Sequence, residues 1–121
     1  MNKIDFDKFK TPRDEQEFIE ICYQVLREFG LDGEKVSISF NEELKYNTYG
    51  REAYDKEEHK FYLEFNPVLF DYDKEVIIDT IYHEVLHAYI SLLYPNEDYA
   101  NKHHLGKFKY IGNKIGLDFD Y

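Results

Sequence analysis

The amino-acid sequence predicts an α+β fold with an N-terminal helix, a three-stranded, mostly antiparallel sheet and two further helices. Three observations support this fold class. Apolar residues recur every three or four positions in three segments, which is the period of a helix face. Between the first two of these segments, apolar and polar residues alternate, which is the period of a half-buried strand. The length of 121 residues suits one domain, so we expect residues 1–121 to form a single domain whose residues 1–10 are loosely ordered.

The composition indicates a packed core. Hydrophobic residues make up 43% of the chain and aromatic residues 18%, which is more than a disordered chain carries. The single cysteine, Cys22, excludes a disulfide framework and a Cys-rich structural metal site. Because it stands among apolar neighbours, we expect it to be a small buried hydrophobic residue.

Charge and hydropathy limit the partners that the chain can have. The formal net charge is −10, with 25 acidic against 15 basic residues. Such a surface repels phosphate backbones, so direct nucleic-acid binding is disfavoured, whereas binding through a partner stays open. No N-terminal apolar segment resembles a signal peptide, and no apolar run approaches the roughly 20 residues of a membrane span. We therefore expect a cytoplasmic protein without membrane contact.

The first helix is predicted to begin at Thr11-Pro12, with Thr as the N-cap and Pro at the first helical position. Acidic residues in the opening turns favour the positive end of the helix dipole. The apolar residues that follow have the spacing of one helix face: Phe18, Ile21, Cys22, Val25, Leu26 and Phe29. Gly30 ends the helix.

Three strands are predicted next. Residues 36–40 alternate between apolar and polar side chains, as in a half-buried strand. Residues 49–54 and 61–65 are predicted to form a hairpin around a charged turn that contains His59. We expect His59 to be an exposed polar residue of that turn and not a ligand.

A longer helix is predicted over residues 73–94, with Asp73 as its N-cap and Pro95 after its end. Asn66-Pro67 separates it from the third strand, because Pro cannot donate to a strand ladder. At about 100° per residue, the apolar side chains of this helix share one broad arc: Ile77, Ile78, Ile81, Tyr82, Val85, Leu86, Ala88, Tyr89, Leu92 and Leu93. The polar side chains lie on or beside the other face: Asp79, Thr80, His83, Glu84, His87 and Ser91.

The polar face of this helix carries an HExxH sequence at residues 83–87. Residues four apart stand one turn above each other, so His83 and His87 project from one face. One zinc ion can take a nitrogen from each imidazole, with Glu84 beside them to handle a proton. Two core histidines would lie within the apolar arc, and two unrelated exposed histidines would rarely stand one turn apart with Glu between them. The pattern therefore favours a metal site.

A catalytic zinc site needs a third protein ligand and an open position. The candidates after the helix are Glu97, Asp98, His103 and His104. Four of the five histidines lie between residues 83 and 104, which favours histidine over a carboxylate as the third ligand. His103 and His104 precede a last helix, which is predicted from the apolar spacing of residues 105–115 and ends at Gly116. The loop between the two helices is long enough to bring this region back over the first two histidines.

The chain resembles the SprT-like (Spartan-type) zinc metallopeptidase domain. Three segments carry the resemblance: LEFNPVL at residues 63–69, DTIYHEVLHAY at residues 79–89 and HLGKF at residues 104–108. They are similar to the family's strand with an Asn-Pro-like end, its HExxHA helix and its His-Gly-x-x-Phe element. Leu105 stands where the family usually has Gly, and the chain shows no Cys-rich zinc-ribbon tail. The resemblance is therefore to a minimal form of the domain.

The resemblance implies a small zincin-like fold and a zinc-dependent metallopeptidase. It implies His83, His87 and His104 as zinc ligands, with His103 as the alternative to His104. It also implies that Glu84 is the catalytic general base, which takes a proton from a zinc-activated water during hydrolysis of a peptide bond. The expected partner is a protein or peptide substrate, which could add to the edge of the third predicted strand.

Two other functions stay open. One is a non-catalytic zinc-binding interaction module, such as a phage or mobile-element accessory protein. The other is a regulatory peptidase that cuts one repressor-like protein. Glu84 argues against the first, because a purely structural zinc site has no use for a general base.

Overall fold

The computed structural model describes residues 3–31, 33–94 and 106–117. The main elements in these ranges are helix α1 (Glu15–Glu28), strands β1 (Val36–Phe40), β2 (Gly50–Asp55) and β3 (Lys60–Phe65), helix α2 (Lys74–Leu93) and helix α3 (Gly106–Ile115). Short 3-10 helices at Phe6–Lys8 and Pro67–Asp71 precede α1 and α2. The predicted α+β class is confirmed, with one helix before the sheet and two after it.

The three strands form a mixed sheet in the order β1-β3-β2, so β3 is the central strand. β2 and β3 form the predicted antiparallel hairpin, but β1 runs parallel to β3 instead of giving the mostly antiparallel pairing that was expected. The connection over residues 41–49 explains the difference, since it carries the chain from β1 past the end of β3 to its far side. The expectation that the third strand offers a free edge is therefore wrong; the edges belong to β1 and β2.

Asn66 holds this crossing connection in place. Its side-chain amide donates to the carbonyl oxygens of Lys45 at 2.9 Å and Thr48 at 3.0 Å, and its Oδ1 accepts from the backbone N–H of Val68 at 3.0 Å. The residue is only 5% exposed. The Asn-Pro element thus does more than end β3, because its amide satisfies carbonyl groups of the loop that leads into β2.

The variant Asn66→Asp should be destabilised by about 3 kcal/mol, because it turns a buried donor into an anion that faces carbonyl oxygens. Urea unfolding of the metal-free protein measures the change. Asn47→Asp is the matched control, since Asn47 is exposed in the same loop, and it should alter the free energy of unfolding by less than about 0.5 kcal/mol. Equal stabilities of the two variants would contradict this role for Asn66.

Helix α1 begins three residues later than predicted. Its N-cap is Asp14, whose Oδ1 accepts from the backbone N–H of Glu17 at 2.9 Å. The Glu17 carboxylate in turn accepts from the backbone N–H of Arg13 at 2.7 Å. These two bonds satisfy N–H groups at the start of the helix, which Thr11 does not do. Cys22 is fully buried on this helix, as predicted.

The hydrophobic core lies between the sheet and helices α1 and α2. At one end the ring of Phe18 packs 4.9 Å from both Phe40 and Phe65, measured between centroids. The N-terminal segment also contributes: Phe9 is buried, and the backbone N–H of Ile4 donates to the carbonyl of Ile115 at 2.9 Å. The first and last described segments are thereby joined.

Helix α2 is the central helix of the domain and is buried around most of its circumference. The polar residues Asp79, Thr80 and Glu84 are as buried as the apolar arc, because elements on their side of the helix cover them. In the described part of the chain, α2 is the one helix that is long and apolar enough to cross a membrane. However, 61% of its apolar 18-residue stretch is buried inside the domain. It is a core helix, which fits a soluble protein.

Candidate metal centre

Helix α2 is continuous from Lys74 to Leu93, so His83 and His87 stand one turn apart on it. Their Nε2 atoms point at each other across 3.2 Å. Two nitrogens that each lie about 2.0–2.1 Å from a tetrahedral zinc ion are separated by about 3.3 Å. The donor atoms of His83, Glu84 and His87 all lie within 4.8 Å of one another. The residues present therefore fit a zinc ion held by the two imidazoles.

Glu84 is the most buried member of this group, at 6% exposed, whereas the two histidines are half-buried. One of its oxygens, Oε2, is buried and has no hydrogen-bond partner among the described residues. Burial, together with the nearby negative charge of Glu52, raises the pKa of Glu84 to about 8. A buried carboxylate without partners is costly, and a neighbouring cation would favour its charged form. Its environment therefore suits a site that holds a cation.

Helix α3 covers the two imidazoles from one side through Phe108. The Phe108 ring stacks on His87, with centroids 4.1 Å apart and planes 26° apart. It meets His83 edge to face at 5.1 Å. Phe108 is fully buried, so it fixes the orientation of both rings. The apolar spacing of the last helix predicted that Phe108 is buried, but spacing along one helix cannot show which side chains it meets.

Strand β2 lies against Glu84. A Cβ atom at Gly50 would stand 3.0 Å from Cγ of Glu84 and 3.3 Å from its Cδ, so a larger residue would press on this side chain. Glu52 lies two residues further along the same strand. Neither residue was predicted from the sequence to lie at the site. The signal that could have found Gly50 is glycine within a strand, which often marks a close approach of the backbone.

Three of the predicted site residues come together: His83, Glu84 and His87. His104 and the alternative His103 lie outside the described residues, as do Glu97 and Asp98. His59 is exposed in the β2–β3 turn, as predicted, and its Nδ1 lies 3.2 Å from the hydroxyl of Tyr54. Of the described residues, only the group on α2 combines three metal-binding side chains.

A model of the SprT-like family matches residues 16–120, which include the HExxH helix and both candidate third histidines. Comparison with curated proteins gave no match, and comparison with solved structures gave none either. The three helices and the mixed sheet are consistent with a small zincin-like domain, and the His-Glu-His group fits a zinc-dependent metallopeptidase. Because the family model matches most of the length of this chain, the chain belongs to the SprT-like family.

Proposed function

We propose that the protein is a zinc-dependent metallopeptidase that hydrolyses peptide bonds. The main support is the convergence of the His83 and His87 nitrogens at 3.2 Å beside the buried carboxylate of Glu84. We assign His104 as the third ligand from its place in the family's His-Gly-x-x-Phe element. Bound zinc would supply a Lewis acid that polarises the scissile carbonyl and acidifies water.

Glu84 is the proton carrier in this proposal. It accepts a proton from the attacking water and delivers that proton to the leaving amine. Burial raises its pKa and a nearby cation lowers it, so the two effects oppose each other and favour a group that both accepts and donates near neutral pH. Because residue 50 is glycine, strand β2 can lie close against the Glu84 side chain and limit the water around it. Phe108 keeps the imidazoles oriented.

The substrate is a protein or peptide segment that adds in extended form to the outer edge of β2. In the described part of the chain no strand pairs with that edge, whereas β3 is paired on both sides. Because Gly50 contacts Glu84, a segment paired with β2 passes the catalytic carboxylate. We place the protein in the cytoplasm as a single domain over residues 1–121. Its net charge disfavours direct nucleic-acid binding.

Metal analysis combined with a cleavage assay tests this function. The purified protein should hold about one zinc ion per chain, and it should cut an unfolded protein such as reduced, alkylated casein. A chelator should stop the cleavage and added zinc should restore it. Protein that binds no zinc would overturn the proposal. Zinc binding without cleavage would support a non-catalytic zinc-binding interaction module instead.

The third ligand can be identified by comparing two adjacent histidines. His104→Ala should lose most of its bound zinc, because two imidazoles alone hold the ion weakly. His103→Ala should keep its zinc and serves as the control. Zinc content measured after dialysis against a weak chelator distinguishes them. Zinc retained in His104→Ala and lost in His103→Ala would transfer the assignment to His103.

A further inference from the structure

Glu52 occupies an unusual position on strand β2. Gly50, Glu52 and Tyr54 pair with Phe65, Leu63 and Phe61 of β3, and all three partners are buried. Paired residues share a face of the sheet, so these three positions belong to the side that faces the core and helix α2. An apolar residue would be expected at the middle position. The chain instead places a carboxylate there, two residues from the contact between Gly50 and Glu84.

The Glu52 carboxylate is half-buried, and burial raises its pKa. Within the ranges that the structure describes, it forms no hydrogen bond and no ion pair. Glu64 on the opposite face of the sheet shows the contrast, since Arg51 at 3.2 Å and the Asn41 amide at 2.7 Å hold its carboxylate. A partly buried carboxylate without a partner is unfavourable unless a positive charge joins it.

We propose that Glu52 binds a positively charged group of the substrate next to the scissile bond. The inference rests on the proposed peptidase function and names a specificity residue for it. A segment paired with β2 would place a side chain directly opposite Glu52 on the same face, with Cβ atoms about 5 Å apart. At that separation an opposite charge is favourable. The substrate residue opposite Gly50 lies beside Glu84, so the charged group falls within about two residues of the bond that is cut.

The charged group can have two sources with the same chemistry. One is the side chain of a Lys or Arg residue, and the other is a free amino terminus. The net charge of −10 favours the approach of either. Neutral and acidic segments would leave the Glu52 carboxylate unpaired, so they should be cut more slowly.

Matched peptides test the proposal. A peptide that the zinc-loaded protein cuts is synthesised with either Lys or norleucine near the scissile bond. Each of these two peptides is made once with a free amino terminus and once with an acetylated one. Glu52→Gln also removes a charge that raises the pKa of Glu84, so each peptide is compared with its uncharged, acetylated counterpart. The variant should lower kcat/KM for the charged peptide by about tenfold to a hundredfold more than for the uncharged one. A loss confined to the Lys peptides identifies the side chain, and a loss confined to free amino termini identifies the terminal amine.

Glu57→Gln removes the same charge from the exposed turn of the hairpin and is the control. Glu52→Thr, which suits a strand, replaces Glu52→Gln if that variant fails to fold. As a readout without turnover, the Lys peptide should bind zinc-loaded Glu84→Gln at least about tenfold more tightly than the double variant that also carries Glu52→Gln. Equal loss for charged and uncharged peptides, or no loss at all, would overturn the inference. No cleavage of any peptide by the unaltered protein would overturn the peptidase function itself.

Discussion

Glu84→Gln is expected to keep its zinc and to lose peptide cleavage by about a thousandfold, which is the scale of general acid–base catalysis. Gln has the same shape as Glu, so the contact with Gly50 and the packing of α2 should be preserved. The amide cannot accept the proton of the attacking water, which is the step that the variant removes. Zinc content and the cleavage rate of an unfolded protein are the two measurements.

Glu75→Gln is the matched control, since Glu75 is exposed in the first turn of the same helix and should have no effect. Undiminished cleavage by Glu84→Gln would remove Glu84 from the mechanism. Loss of zinc would have a different meaning. It would make Glu84 a ligand, a role that its distance of no more than 4.8 Å from the histidine nitrogens leaves open.

His87→Ala is expected to weaken zinc binding by at least about a hundredfold. Removing a zinc ligand itself should cost more than removing a residue that only hydrogen-bonds to a ligand. Cleavage should disappear with the metal. A ligand that binds only the folded state stabilises that state, by about 4 kcal/mol when its concentration is a thousand times its Kd. A site that binds a hundredfold more weakly keeps only about 1.4 kcal/mol of this stabilisation at the same zinc concentration, so the zinc-dependent rise in melting temperature should fall to about a third or less.

His59→Ala is the control for this experiment, because His59 is an exposed histidine of the hairpin turn. It should keep zinc, cleavage and the zinc-dependent stabilisation. The metal-free forms need a separate comparison, since His87→Ala also loses the stacking with Phe108, worth about 1 kcal/mol. A His87→Ala protein that still binds and uses zinc would refute the proposed ligand set.

The sequence predicted the helices and strands well where a regular apolar spacing is followed by a residue that ends the element. β1 has the predicted bounds, and α2 lies within one residue of its predicted ends, because the apolar spacing defines it. Asp73 stands at the predicted N-cap position, but its side chain makes no capping hydrogen bond. The spacing of His83 and His87 also predicted their convergence, since a helix fixes the separation of residues four apart. These are local properties, so they can be predicted from the sequence alone.

The features that the sequence did not predict depend on contacts between distant segments. Alternation identifies the faces of a strand but not its neighbours, so the parallel pairing of β1 with β3 could not be inferred. The burial of Glu84 has a similar origin. The spacing placed it on or beside the polar face of the helix, but it could not show that Gly50 of β2 lies against it and buries it. A carboxylate that violates the usual rule of burial is typical of a functional site.

The outer edge of β2, with which none of the described strands pairs, also affects how the protein behaves at high concentration. An open strand edge is a template on which a second copy of the same chain can pair and begin to aggregate. Arg51, Glu52 and Asp55 place three charges on this six-residue strand, and the net charge of −10 makes copies repel each other. These charges therefore oppose self-association along the strand edge and are compatible with the proposed pairing of a cationic substrate there.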